Sequence, residues 1–306
     1  MLSVSVNHPA ISGTFEVDRG LIAVVGLSGA GKTSLFRLLA GLDRSPAAVS
    51  FENQRIDGLL PHQRPLAYVP QHPSLVPHKT IAAQVRWVQA TDDRLVRRWR
   101  QILALDRLWE RYPRELSGGE QQRAALLRAL AANRPLLILD ESLSNVDKPH
   151  RDHIFEALHD QWSTRLLLFS THDWREAENW ADGVLYVEYG QLYPVQPRRD
   201  LAPVTWTMAR LMGFLGAIHD DQGRAWLIHP RLVQVGRHSS GLYIPGLLTV
   251  TDRYSIQSQY HFQPADGGAP LHWQGPPIAP GTYQGITLTR RYAATSLLGN
   301  PEELIP

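Results

Sequence analysis

Residues 21–34 read LIAVVGLSGAGKTS, five apolar side chains running directly into the pattern Gly, four residues, Gly, Lys, Thr. An apolar run with no polar position fits a strand covered on both faces of a parallel sheet. The pattern behind it is that of a phosphate-binding loop. Its glycines let the backbone turn tightly, so that N–H groups of Gly26, Leu27, Ser28, Gly29, Ala30 and Gly31 point at phosphate oxygens, and a helix opening near Gly31 and passing through Ser34 adds its positive end. Lys32 then reaches the β and γ phosphates, and the Thr33 hydroxyl coordinates Mg²⁺. A chance glycine-rich turn of this form arises in roughly one chain of this length in a hundred. Here the lysine is one of only three, with Lys79 and Lys148.

Two more apolar runs, residues 136–139 and 166–169, read as companion strands. The first ends in Asp140 and Glu141, LLILDE, at the carboxyl end of a parallel strand, where open α/β sheets bind ligands. Two acids after four aliphatics also occur where a strand simply reaches the surface. Beside a phosphate loop, Asp140 is expected in the Mg²⁺ shell and Glu141 is expected to polarise an attacking water. Upstream, LSGGEQQR (residues 116–123) ends with sixteen residues between it and Asp140 and opens a helix expected to run to Ala132. Ser117 caps that helix, while Gly118 and Gly119 allow close backbone approach to a second anion. A plain capping box of Ser117 and Glu120 is the alternative, although it has no need of two glycines.

Phosphate loop, LSGGEQQR and acid pair, in this order, resemble the ATP-binding cassette family over residues 1 to about 195. The resemblance implies ATP as nucleotide and Mg²⁺ as its ion, held by Thr33, Asp140 and Gln71. It implies a head-to-tail homodimer in which Ser117, Gly118 and Gly119 cap the ATP of the opposite subunit. Gln71, in AYVPQ, matches the glutamine that senses the ion or the attacking water. Asp147, in SLSNVD, matches the aspartate of the loop crossing the interface, although NVD stands for the more usual ALD and Ser142 for the usual proline. His172, in LLLFSTHD, matches the histidine that contacts the γ-phosphate, so Glu141, His172 and Gln71 form the implied catalytic set. One feature departs from the family: its adenine stacks on an aromatic residue between the first two strands. Here SVNHPAISG precedes a strand expected at 14–17, and His8 is the nearest ring.

Composition bounds the rest. With 306 residues, 43% hydrophobic and 20% charged, the chain is an ordinary folded protein of about two domains. A net charge of +2 excludes a global positive field for nucleic acid or anionic membranes, and zero cysteines exclude a disulfide scaffold and thiolate chemistry. The N-terminus lacks the pattern of a signal peptide, and no apolar run approaches the roughly 20 residues of a membrane span. A helical subdomain is expected at about 72–135. There Arg94, Arg97, Arg98 and Arg100 with Trp87, Trp99 and Trp109 read as a solvated basic face over packed tryptophans rather than a nucleic-acid patch, since Asp92, Asp93, Asp106 and Glu110 are interspersed. In the resembled family the stretch HPSLVPHKTIAAQV (residues 72–85) meets a coupling helix of the membrane subunit.

From Leu201 onward there are 12 glycines, 10 prolines, 7 arginines and no lysine, with alternating runs such as 256–262 between turn clusters such as 264–270. A linker helix is expected at 196–217, centred on PVTWTMARLMGFLG (residues 203–216), and a β-rich domain at 218–306. The latter resembles the OB/TOBE-like regulatory domain of importer ATPases for oxyanions, polyamines and sugars; a dimer-stabilising module and a sensor both fit it.

The expected fold is therefore an α/β P-loop NTPase cassette with a helical subdomain, followed by a smaller β-rich domain. The resemblance implies the ATP-hydrolysing subunit of a membrane importer, peripheral at the cytoplasmic face of the cell membrane. Its implied partners are a second copy, integral permease subunits and a solute-binding protein, with no nucleic acid. The alternative is a soluble cassette ATPase acting on nucleic acid or ribosomes; such proteins carry a coiled-coil insertion or a second cassette, for which this length has no room. A regulator without turnover would not need Glu141 and His172.

Overall fold

The computed structural model describes residues 1–43, 46–219, 224–236, 238, 240, 242–253, 257–265, 270–275, 281–288 and 297. The chain divides into two compact units, Met1–Leu201 and Ala202–Pro306.

The first unit runs β1 (Leu2–His8), β2 (Ile11–Val17), β3 (Gly20–Val25), α1 (Lys32–Ala40), β4 (Ala47–Phe51), β5 (Gln54–Arg55), β6 (Leu66–Val69), α2 (Ile81–Val88), α3 (Asp93–Ile102), α4 (Gly118–Ala131), β7 (Leu136–Asp140), α5 (Lys148–Trp162), β8 (Leu166–Thr171), α6 (Trp174–Trp180), β9 (Gly183–Glu188), β10 (Gln191–Leu192) and β11 (Gln196–Pro197). One sheet takes all of its strands, in the order β5-β4-β1-β2-β10-β9-β3-β8-β7-β6, with β11 on β9. From β9 to β6 the pairing is parallel, with β3 between β9 and β8. The three expected apolar runs fall in β3, β7 and β8, whose residues are all buried, as strands with helices on both faces must be. Helix α1 packs Leu35, Phe36, Leu38 and Leu39 into the cluster that also holds Leu2, Val4, Ile138 and Leu168; each such side chain contributes about 1.5–3 kcal/mol by burial.

Helices α2, α3 and α4 start on side-chain caps, Thr80, Asp92 and Ser117. On α3, Val96 and Trp99 face inward while Arg94, Arg97 and Arg98 are exposed, as expected of a solvated basic face. The expectation of packed tryptophans fails at Trp87, which is 69% exposed. Its neighbours Ile81, Ala82 and Val85 are the buried face of α2, and two residues beyond Val85 a helix turns about 200° away from that face. Lys79 lies 5.4 Å over the Trp87 ring.

Of the expected linker helix, Arg198–Asp200 form a single 3-10 turn, and α7 (Trp206–Leu211) in the second unit is α-helical. Thr205 caps it, accepting from the Met208 N–H, and Gly213 at φ 91° follows its end. Residues 196–197 belong instead to β11, and from residue 216 the chain is already in β12 (Gly216–His219), which pairs with β13 (Ala225–Ile228). A five-stranded antiparallel sheet follows: β14 (Val233–Val235), β15 (Leu242–Arg253), β16 (Gln257–Pro264), β17 (Leu271–Gly275) and β18 (Gly281–Leu288), ordered β14-β18-β15-β16-β17. Its core is Ile228, Ile244, Leu248, Val250, Tyr260, Phe262, Leu271, Trp273, Ile286 and Leu288. Of the expected run 256–262 and turn cluster 264–270, Ile256 and residues 266–269 lie outside the described residues.

Because Val195 packs on the first unit's core and β11 pairs with β9, a chain ending at Leu201 should unfold cooperatively on its own, whereas one ending at Tyr193 should melt lower, by about 2–4 °C for each kcal/mol lost. Thermal melts of the two truncations followed by circular dichroism check this; equal midpoints would show that residues 194–201 add nothing.

Candidate nucleotide site

The loop after β3 enters α1 through Gly31, at φ 111°, a left-handed conformation that favours glycine. A Cβ on Gly31 would lie 3.4 Å from the Ala10 carbonyl oxygen and 3.5 Å from the Gly190 Cα. The turns between β1 and β2 and between β9 and β10 therefore both press on this corner of the loop. Gly31 offers no side-chain cap, and the first turn of α1 carries no acid, so its N–H groups remain free for an anion. Lys32 is 5% exposed. Its ammonium donates to the carbonyls of Gly26 at 2.7 Å and Leu27 at 3.1 Å and stands 3.7 Å from Glu141 Oε1. Burial pulls the Lys32 pKa below the ordinary lysine value, against the opposing pull of the Glu141 and Asp140 charges.

Asp140 ends β7 and is 1% exposed. Its Oδ1 accepts from Thr33 Oγ1 at 3.2 Å and Ser170 Oγ at 2.8 Å, and its Oδ2 accepts from the Tyr68 hydroxyl at 3.1 Å. Burial first, and then the Asp140 charge, drive the Tyr68 pKa well above the ordinary phenol value, which keeps that hydroxyl a donor. Ser170 also accepts from the Glu141 backbone N–H at 2.9 Å. Glu141 itself is left-handed, at φ 44°, a strained state for a side-chain-bearing residue that clusters at functional sites. Its Oε2 accepts from Gln71 Nε2 at 3.2 Å, and its Oε1 lies 3.9 Å from His172 Nδ1. Lys32, Thr33, Gln71, Asp140, Glu141 and His172 thus meet at the carboxyl edge of β6, β7, β8 and β3.

Ser117 and Asp147 stand at helix starts instead. Ser117 caps α4, and both its N–H and its hydroxyl donate to Glu120 Oε2, at 2.7 and 2.9 Å. Those bonds, the backbone one first, hold the Glu120 carboxyl below its ordinary pKa. The capping box weighed from the sequence is thus present, and around Gly118 there is open space. Asp147 caps α5, accepting from the His150 N–H at 3.3 Å. A Cβ on Gly119 would lie 2.7 Å from the Asn145 carbonyl oxygen, so the second glycine is what lets α4 approach the loop after Glu141.

The sequence reading missed Tyr68, Ser170 and Gln122. Buried Gln122, at 1% exposure, donates to the Gln71 carbonyl at 3.4 Å and accepts from the Asn145 N–H at 3.1 Å. It joins α4 to both neighbouring loops. Its signal was available: an amide on the face of α4 that also carries Ala125 and Leu126, both buried. Gln122→Leu should remove the side-chain partner of two part-buried backbone groups and cost about 1 kcal/mol. Denaturant unfolding reads this directly, and a loss under about 0.5 kcal/mol would deny the bridge any structural weight.

Known proteins resemble the chain in this same region. The ABC transporter family profile matches residues 12–144. The sulfate/thiosulfate import ATP-binding protein of Vibrio vulnificus is 39% identical over 188 residues, 56% of this chain and 54% of that protein. The molybdate/tungstate import ATP-binding protein of Thermococcus kodakarensis is 33% identical over 243 residues, 74% of this chain and 73% of its own length. The chain thus spans about half of the first relative and about three quarters of the second. Among solved structures, the ATP-binding subunit of an ABC transporter superposes with a TM-score of 0.58 at 25% identity, over 64% of this chain and 89% of its own. A dimeric ATP-binding cassette bound to ADP and phosphate shares the fold, with a TM-score of 0.56 at 20% identity over 66% of this chain and all of its own. Identity that runs through the nucleotide site and on across most of a whole relative settles the lineage: the chain belongs to the ABC transporter family, among its ATP-binding proteins.

Proposed function

We propose that the chain is the ATP-hydrolysing subunit of an ABC importer, acting as a homodimer beneath integral permease subunits on the cytoplasmic face of the membrane. The observation that carries this is Glu141, whose carboxylate is held between Gln71, Lys32 and His172 beside the buried Asp140. That is the arrangement for steering a water onto a γ-phosphate. Backbone N–H groups of residues 27–33 hold the triphosphate, and Lys32 exchanges its two carbonyl partners for phosphate oxygens, a stronger charge-assisted bond. Glu141 then takes up the proton side of the attacking water, and His172 and Gln71 fix its direction.

The residues present suit Mg²⁺. Thr33 and Asp140 offer oxygen donors 3.2 Å apart, with the Gln71 amide near Glu141. Among the described residues no three His, Cys, Asp or Glu side chains are placed so as to hold a metal ion by themselves. A hard cation with so few protein ligands is one that shares its shell with substrate phosphates. When bound, it would neutralise charge developing on the β and γ oxygens.

Of the Ser117, Gly118, Gly119 start of α4, Gly118 faces open space, and we assign this helix start, with Asp147, to the ATP held by the partner copy. No described helix is long and apolar enough to cross a membrane, so coupling runs through a surface. Residues 72–85 and the exposed Trp87 are that surface in this reading. We take residues 1–195 as the cassette, 72–135 as its helical subdomain, and the β-rich unit as an OB/TOBE-like regulatory module. The relatives' names, sulfate/thiosulfate and molybdate/tungstate import, support a tetrahedral oxyanion as cargo, delivered by a solute-binding protein.

Glu141→Gln should keep ATP binding yet lower turnover about a hundredfold or more, and should accumulate an ATP-bound dimer on size exclusion. Steady-state hydrolysis within threefold of the native chain would remove Glu141 from the mechanism. Ser117→Arg should abolish most hydrolysis while leaving ATP binding to the subunit's own loop intact. Full activity in that variant would rule out the head-to-tail arrangement.

A further inference from the structure

The groups that meet the terminal phosphate follow β6, β7 and β8, which all lie on one side of β3. On the other side come β9, β10 and β2. A nucleotide on the β3 loop with its γ-phosphate toward Gln71, Glu141 and His172 must therefore send its sugar and base toward β9, β10 and β2. Two turns stand there against the loop. The β9–β10 turn is bonded to it directly: the Gly190 N–H donates to the Ala30 carbonyl at 2.9 Å, and the Gly190 carbonyl accepts from the Ser12 N–H at 2.7 Å.

Each turn carries a ring. His8 is engaged with its own turn, its Nδ1 accepting from the Ala10 N–H at 3.1 Å. Tyr189 is different. It is 82% exposed, and its backbone is left-handed at φ 47°. A large aromatic displayed to water from a backbone state that costs of order 1 kcal/mol adds nothing to the core. Glycine would serve that turn better.

We infer that Tyr189 is the base-binding residue, an aromatic plate on which the purine ring of the nucleotide stacks. The inference rests on the ATP-binding reading above and names the subsite that reading lacked. It fills the place of the ring missing between the first two strands, from a turn that the sheet brings next to that one. Stacking uses the face of the purine, common to adenine and guanine, so Tyr189 holds ATP and GTP alike.

Equilibrium binding of ATP, GTP and inorganic tripolyphosphate to the full chain tests it, with Tyr189→Gly, Tyr189→Phe, His8→Ala and Lys32→Ala as variants. Glycine relaxes the left-handed turn, so lost affinity cannot come from backbone strain. Tyr189→Gly should weaken ATP and GTP about tenfold, as loss of a base-stacking ring does, and leave tripolyphosphate unchanged. Tyr189→Phe and His8→Ala should bind ATP within twofold of the native chain. ATP affinity within twofold in Tyr189→Gly, or a parallel loss for tripolyphosphate, would overturn the inference; so would a loss confined to His8→Ala. If the native chain binds neither ATP nor tripolyphosphate and Lys32→Ala changes nothing, the ATP-binding reading itself falls and takes the subsite with it.

Discussion

A carboxylate taken out of water has to be met by donors or it does not stay charged, and Asp140 is met from three sides. Thr33 at the start of α1, Ser170 in β8 and Tyr68 in β6 all donate to it. Four elements that are far apart in sequence are thereby pinned to one another at the mouth of the phosphate loop. The same Ser170 hydroxyl holds the Glu141 backbone, and so the buried acid also fixes the strained turn that presents the Glu141 carboxylate. Loosening this carboxylate would disturb the loop, Glu141 and the sheet edge together.

From that centre, polar side chains lead outward to the helical part. Gln71 bonds Glu141 through its side chain and Gln122 through its carbonyl, and Gln122 bonds the Asn145 N–H. Farther along, the guanidinium of Arg128, whose pKa burial lowers, donates to the Ser74 carbonyl at 2.7 Å, and buried Gln84 bonds Val76 and Lys79. The stretch that follows Gln71 is thus bonded to α2 and α4 by amides and a guanidinium. Hydrogen-bonded contacts of this kind have discrete partners, which suits the coupling role proposed for this segment.

Sheet order gives the site its direction. Parallel strands β6, β7, β8 and β3 deliver Gln71, Asp140, Glu141, His172 and the loop, while the return to β9, β10 and β2 places two turns at the opposite flank. A ring offered from the second of these turns lies far from the first in sequence. For that reason a search confined to the segment before β2 finds only His8.

The sequence by itself determined the phosphate loop, the three buried strands around it, the acid pair and the glycine-bearing helix start, because each is a local pattern: an apolar run, a glycine spacing, a cap. It misjudged Trp87, whose direction depends on which face of an eight-residue helix finds neighbours, and it made α7 too long, because apolar spacing continued past the point where the chain turned into β12. Tertiary structure alone decided what surrounds Asp140, that Gln122 bridges two loops, and that Gly190, next to Tyr189, bonds Ala30. These are pairings between residues tens to well over a hundred positions apart, set by strand order in the sheet. No periodicity within a segment encodes such a pairing, since it arises only when burial of the apolar strands has fixed which edges meet.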